Sequence, residues 1–480
     1  MSSPAPQSPD NEAPPSRPNV VLINCDDLGY GDLGCYGSTR NKTPTLDQLA
    51  ADGVRFTSFY QASPVCSPSR GALLTGCYPP RIGFGSFDGL PVLFPGQAMG
   101  LPPSEVSIAK VLSNAGYRTQ MIGKWHCGDQ PHFQPTNHGF DHYFGLPYSN
   151  DMGRQADTPS FFPDMAPLPL LLDGDVVEQQ PDQGSLTERY VVEAVRFMRS
   201  AKDAPFFLYL AHMYVHVPIY VQPRFTAQST NGRYGAAVES IDWATSVVLH
   251  ELRSLGLEEN TIVIFTSDNG SLGDNIVPLG GDGKLLGASN DPLRGTKAHT
   301  WEGGMRVPGI VRWPARIAPG RVCDEIVLSL DLYPTLAALC EADVPTDRTI
   351  DGCDISTIWF DDQAASPHDA FFYYWMNDLE AIRVQRWKLH FSKRGTETVE
   401  LYDLDADIGE TTNLADTHPE VVGDLTDRAQ WARTSLGDAR LGIIGNDIRA
   451  VGRVDGAAPL TKFDPLHPYY MAEYDLSDRG

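Results

Sequence analysis

Four short apolar runs, each stopping at a cluster of polar residues, constrain this chain more than any other feature. Asn19 to Asn24 reads Asn-Val-Val-Leu-Ile-Asn and stops at Cys25-Asp26-Asp27. Arg118 to Ile122 leads into Gly123-Lys124-Trp125-His126-Cys127-Gly128, and Phe206 to Ala211 leads into His212 and His216. Thr261 to Thr266 leads into Ser267-Asp268-Asn269-Gly270. Near-continuous apolar runs of this length suit strands covered on both faces, as in a parallel sheet. Helical segments accompany them: Pro44 to Ala50 and Glu105 to Leu112, the latter behind a Ser104 cap and closed by Gly116, lie between the first two runs, and Leu328 to Leu339 follows the last. Strands alternating with helices predict a doubly wound α/β core, with a large mixed but mostly parallel sheet sandwiched by helices. Such sheets bind ligands beyond the C-terminal ends of their strands, which is where all four runs deliver their polar residues.

At 480 residues the chain is too long for one compact core. Residues 1–17 are rich in Pro, Ser and acidic residues and read as a disordered arm. Residues 18–365 form the main α/β domain, and the composition changes after about residue 365. Phe371 to Trp375, Ala381 to Arg386, Trp387 to Phe391 and Glu400 to Asp403 are strand-like, and Pro419 to Leu436 is helical. They predict a small antiparallel sheet packed with a helix, so that 366–480 is an α+β subdomain with a tail. The loops Gly83 to Gly100, Gly153 to Gln180 and Gly280 to Asn290 are expected to shape the pocket.

Several classes of partner are excluded. A formal net charge of −24 argues against nucleic acid and anionic membrane surfaces. No apolar run approaches the roughly 18 residues that span a bilayer. The start, Met1-Ser2-Ser3-Pro4-Ala5-Pro6, carries no visible secretion signal. The expected compartment is periplasmic or extracellular if a signal has been removed, and cytoplasmic otherwise. The eight cysteines show no zinc-type spacing.

One cysteine stands apart. Cys66-Ser67-Pro68-Ser69-Arg70 precedes Gly71-Ala72-Leu73-Leu74-Thr75-Gly76. Ser67 suits an N-cap, Pro68 the first helical position and Gly76 the stop. Free N–H groups at a helix start favour anions, and Arg70 adds a fork of donors suited to sulfate or phosphate oxygens. Asp26, Asp27, Asp268 and Asn269 supply oxygen donors from two strand ends. That set suits Ca²⁺, with Mg²⁺ as the other hard ion, and disfavours zinc. Lys124, His126, His216 and Lys297 supply the positive charge that the chain as a whole lacks. Taken singly each of these residues is ordinary; their shared position after the strands, or in one Gly-rich loop, is what joins them.

The Cys66 to Gly76 stretch closely resembles the signature of the type I sulfatases. Further resemblances follow in the same order: Asn24-Cys25-Asp26-Asp27, Gly116-Tyr117-Arg118-Thr119 through His126, Ser267 to Gly270, Lys297 with Trp301-Glu302-Gly303-Gly304, and Leu401-Tyr402-Asp403-Leu404 with Glu410 and Asn413-Leu414. Pro147 to Asp151 resembles a substrate-side loop of arylsulfatase A-like members, making Ser149 a weaker candidate contact. Cys127 departs from the family, which commonly has Leu there, and puts a second thiol near the site. The resemblance implies an alkaline-phosphatase-like fold and a sulfatase acting on aryl or carbohydrate sulfates, with a sulfated small molecule or glycan as substrate. It implies that a formylglycine-generating enzyme oxidises Cys66 to formylglycine, whose hydrate attacks sulfur and shares the metal's shell. Arg70, Lys124 and Lys297 would then neutralise the sulfuryl oxygens, Lys297 or His216 would protonate the leaving oxygen, and His126 would take a proton as sulfate departs.

Two rivals stay open at this level. One is a phosphomonoester, phosphodiester or phosphonate hydrolase of the same superfamily; the other is a non-catalytic binder of sulfated glycans.

Overall fold

The computed structural model describes residues 17–154, 165–273, 287–467 and 469. The arm therefore lies outside the described residues except for Arg17, as do 280–286 and 155–164 of two pocket loops and most of the tail beyond 467.

An 11-stranded sheet runs in the order Arg321–Cys323, Val54–Tyr60, Arg306–Arg312, Thr261–Ser267, Asn19–Cys25, Phe206–Ala211, Arg118–Gly123, His142–Gly145, Pro169–Leu172 and Asp175–Gln179, with Val327–Leu328 also pairing with Val54–Tyr60. The four apolar runs are its four central, mutually parallel strands. Their side chains alternate between two cores. Val20 and Leu22 face the cluster under helices Cys66–Thr75, Ile108–Asn114 and Leu332–Leu339. Val21, Ile23 and Cys25 face the one under Pro44–Ala51, Leu186–Ala201 and Gly232–Ser254. Helices on both faces explain why these strands carry no polar stripe; each buried Val, Leu or Ile contributes about 1.5–3 kcal/mol.

The register aligns the strand ends. Cys25 pairs with Ser267, and Asn24 and Gly123 both pair with Ala211. Asp26, Asp268, His212 and Lys124 thus leave the sheet side by side. Gly123 is required at this edge: its φ is +104°, and an added Cβ would lie 1.8 Å from the Ala211 carbonyl oxygen of the neighbouring strand.

Phe371–Trp375, Asp378–Val384, Trp387–Lys393 and Thr396–Asp403 form a four-stranded antiparallel sheet in that order. Its core joins helix Pro419–Ser435 through Leu425, Ala429 and Ala432, and reaches Tyr60, Ala72 and Met305 of the large part.

Three local expectations are corrected. Ser67 is not the N-cap: the helix begins at Cys66 behind an extended Val65, and the Ser67 hydroxyl accepts from the Leu93 N–H at 3.1 Å. Ser104 does not cap the next helix. Ser107 does, accepting from the Lys110 N–H at 3.1 Å, while Glu105 is drawn into an ion pair with Arg449. The segment from Leu328 opens as strand and 3₁₀ turn before the helix begins at Leu332. Among the described residues no helix is long and apolar enough to cross a membrane.

Candidate active site

The helix Cys66–Thr75 is buried along its whole length, so its placement is dictated from all sides. Ser69 Oγ donates to the Asp268 carbonyl at 2.5 Å and to Gln61 Oε1 at 3.0 Å. Arg70 spans two strand ends. Its Nε and Nη2 lie 2.8 Å from Asp268 Oδ2, and its Nη1 donates to the Lys124 carbonyl at 2.9 Å. The helix start is thereby fixed over the edge where Asp26 and Asp268 emerge.

Around Cys66 three carboxylates meet three cations. Lys124 Nζ donates to Asp26 Oδ2 at 2.5 Å and to Ser149 Oγ at 3.3 Å. Lys297 Nζ lies 2.7 Å from Asp27 Oδ1 and 2.8 Å from its Oδ2. The Cys66 thiol donates to Asp26 Oδ1 at 3.4 Å. His216 Nε2 is 3.3 Å from Ser149 Oγ and 3.7 Å from Asp27 Oδ2. Asn269 Nδ2 donates to Asp27 Oδ1 at 2.7 Å. Ten of the eleven residues singled out from sequence therefore fall into one contact network. The eleventh, His126, adjoins it through Lys124 and hydrogen-bonds to Leu93 instead.

Exposure gives the network a direction. The side chains of Arg70, Lys124 and Asp26 are fully buried, whereas Lys297 is 12% and His216 9% exposed. Lys297 and His216 therefore form the mouth of the site, and Cys66, Arg70 and Lys124 its floor.

The charges are mutually dependent. Burial acts on Asp26 to raise its pKa, but Lys124, His216, Arg70 and Lys297 together hold the carboxyl well below its usual range. Burial raises the Cys66 thiol, with Asp26 adding to the effect against Lys124 and Lys297, so the thiol is protonated at neutral pH. Burial, with Lys124 and Arg70, holds His126 well below its usual value. Its Nε2 sits 2.9 Å from the Leu93 carbonyl, which assigns the proton to Nε2 and leaves the buried Nδ1 as an acceptor with no protein partner. Asp27 and His126 both have left-handed backbones, φ +62° and +59°. Conformations disfavoured for non-glycine residues persist only where surroundings impose them, and here both lie at the site.

The donors fit a hard divalent cation. Asp26, Asp27, Cys66 and Asp268 each place a ligand atom within 4.8 Å of the others, all buried. Asn269 Oδ1 is buried without a hydrogen-bond donor. Both Arg70 contacts fall on Asp268 Oδ2, leaving Oδ1 with only the Asp27 N–H at 3.2 Å. A group of Asp26, Cys66 and His216 also converges, but oxygens outnumber softer donors across the whole set.

Sequence reasoning missed two supporting residues. Gln61 follows the unrecognised strand Val54–Tyr60, and its Nε2 donates to the Ser267 carbonyl at 2.5 Å. Cys25 is a further thiol beside the metal-site charges, in addition to Cys127, which lies within electrostatic reach of Arg70. The pKa of Cys25 is raised by burial and then by Asp268, and that of Cys127 by burial.

A parallel sheet edge that gathers acidic oxygens for a cation and buried cations for an oxyanion defines a hydrolase of anionic esters. The chain belongs to the type I sulfatase family, enzymes that hydrolyse sulfuric esters. It matches the sulfatase family over residues 18–342 and the N-sulphoglucosamine sulphohydrolase C-terminal family over 296–433. It is 40% identical to human arylsulfatase A over 448 residues, covering 84% of this chain and 85% of that one. It is 38% identical to rat (Rattus norvegicus) steryl-sulfatase over 445 residues, covering 79% and 76%. The crystal structure of Ps i-CgsB in complex with k-i-k-neocarrahexaose superposes with a TM-score of 0.75 at 30% identity, covering 87% and 93%.

Proposed function

We propose that this sulfatase hydrolyses aryl or carbohydrate sulfate monoesters through formylglycine formed at Cys66, with Ca²⁺ as the metal. What carries the reading is the buried group of three carboxylates and three cations around the Cys66 thiol, which donates to Asp26 Oδ1 at 3.4 Å. Formylglycine there, installed by a formylglycine-generating enzyme, would supply a hydrated aldehyde with one hydroxyl to attack sulfur and a second to release the sulfate. Asp26, Asp27, Asp268 and Asn269 would hold the metal, which when bound supplies Lewis acidity toward oxygen.

The remaining residues act on the substrate. Arg70 and Lys124, fixed in the floor, balance charge on the sulfuryl oxygens as it develops. Lys297 and His216, at the mouth, hold a proton for the leaving oxygen, and Ser149 Oγ orients the His216 ring. Nδ1 of His126 takes a proton in the step that frees sulfate. The cluster also accounts for anion binding by so acidic a chain. Three carboxylates and three cations cancel, so a divalent cation would leave the pocket positive toward a sulfate monoester.

For substrate, human arylsulfatase A and rat steryl-sulfatase support an aryl or steryl sulfate, and the neocarrahexaose in the Ps i-CgsB structure supports a sulfated glycan. The reading is tested by turnover of an aryl sulfate against the matching aryl phosphate. The expected kcat/KM is at least about tenfold higher for the sulfate. A preference for the phosphate would contradict it.

A further inference from the structure

The Trp301 to Gly304 motif and the Glu410 signature of the small sheet take no part in the chemistry above, yet the structure joins them under Lys297. Glu302, Lys388 and Glu410 have fully buried side chains. Lys388 Nζ lies 3.0 Å from Glu302 Oε1 and 2.8 Å from Glu410 Oε1, tying both carboxylates together. Glu410 Oε2 accepts the Glu302 N–H at 2.8 Å, and the Glu410 carbonyl accepts from Arg294 Nη1 at 2.6 Å. Both ends of the segment from Arg294 to Glu302 are therefore held by one residue of the small sheet's final loop. That loop is pinned in turn by Asn413 Oδ1, which accepts the Leu401 N–H at 2.9 Å.

The middle of the segment is held from the same side. Arg394 Nη2 donates to the Ala298 carbonyl at 2.5 Å, and Thr300 Oγ1 donates to Glu380 Oε2 at 2.6 Å. Trp301 has two cations against its ring, Arg294 3.8 Å and Lys393 Nζ 3.7 Å from the ring centre. On the opposite side the Lys297 N–H donates to the Ser271 carbonyl and the Ala298 N–H to the Pro64 carbonyl, each at 2.8 Å. Pro64 precedes the Cys66 helix and Ser271 follows the Asp268 strand. The turn carrying Lys297 is thus wedged between the nucleophile's helix and the metal-site strand, with the small sheet closing behind it.

We infer that Glu410, acting through Glu302 and Lys388, is a positioning residue for Lys297, and that the small C-terminal sheet is a clamp setting the reach of that lysine. The inference rests on the leaving-group role of Lys297 proposed above. A buried ion cluster that merely glued the two sheets together would affect all steps alike. A clamp on Lys297 loses its effect once Lys297 is gone.

The test is a double-mutant cycle on the full-length, metal-loaded enzyme with an aryl sulfate, with denaturation midpoints measured in parallel. Glu410→Ala is expected to lower kcat about tenfold with KM changed less than about twofold, the signature of a lost transition-state contact. Glu410→Gln, whose amide oxygen still accepts the Glu302 N–H, is expected to stay within about threefold of wild type. In a Lys297→Ala background, Glu410→Ala should cost less than about twofold. Equal costs in both backgrounds, or an unchanged kcat for Glu410→Ala, would overturn the clamp. Should Glu410→Ala fail to fold, Arg394→Ala at an exposed position carries the same cycle. It is expected to cost about threefold in wild type and nothing beside Lys297→Ala. Undiminished kcat in Lys297→Ala overturns the role of Lys297 and the clamp with it. A damaged Lys297→Ala enzyme beside an unaffected Glu410→Ala enzyme overturns the clamp alone.

Discussion

Cys66→Ala is expected to reduce turnover by at least about 10⁴-fold, the scale of losing a nucleophile. The fold should survive. The residue is only 2% exposed, but it contributes a single sulfur to a helix anchored by Ser69 and Arg70. The loss is about 1 kcal/mol, which shifts the melting temperature by roughly 1–2 °C in a chain of this size. Circular dichroism and thermal melts beside the kinetics separate the two effects. Cys66→Ser sharpens the case, because a serine hydroxyl has no second hydroxyl with which to expel sulfate. At most one equivalent of product per enzyme is expected from it. Sustained turnover by either variant would refute the role of position 66.

Asp268 carries the second large effect, and here chemistry and stability diverge. Asp268→Ala removes a proposed metal ligand and also the main partner of Arg70, whose guanidinium is fully buried. An uncompensated buried charge costs about 3–5 kcal/mol. The residual contacts of Arg70, 3.7 Å to Asp26 Oδ1 and 2.9 Å to the Lys124 carbonyl, offset part of that. Asp268→Asn keeps an oxygen acceptor facing Arg70 and loses only the charge. The Asn variant is expected to lose less stability than the Ala variant, because an acceptor still faces Arg70, while kcat/KM falls at least about 10³-fold and bound divalent metal drops below stoichiometric. Elemental analysis of the dialysed protein reads the metal directly. An Asp268→Asn enzyme that keeps both metal and activity would remove Asp268 from the site.

The parts of the fold legible in the sequence are those where local pattern and tertiary environment agree. The four central strands are apolar along their length because both faces are covered, and their boundaries lie within a residue or two of the runs. Val54–Tyr60 and Arg306–Arg312 are hard to read from sequence because they are flanking strands, antiparallel to one another, interrupted by Arg55, Thr57, Pro308 and Gly309, with a register shift between Val307 and Gly309. In the small sheet the first two hairpin turns include Met376 and Gln385 with φ +53° and +50°, residue types that do not announce a turn. The strand expected at Ala381 to Arg386 accordingly runs from Asp378 to Val384.

The site was legible for a related reason. Residues one step beyond parallel strands are forced together by register, so Asp26, Lys124 and Asp268 follow from the four runs alone. Lys297 arrives on a Gly-rich loop, where residue type alone points to it, and Ser149 follows only from the family resemblance. Gln61, the Ser67 contact to Leu93 and the Glu410 cluster depend on packing between distant segments, which no local pattern encodes.

The central claim is that position 66 reacts as an aldehyde. Its most direct test is the mass of the peptide containing residue 66, taken from a preparation whose activity has been measured. The expected result is formylglycine in a fraction of molecules that tracks specific activity across preparations. Fully active protein whose peptide carries an unmodified cysteine thiol would contradict it.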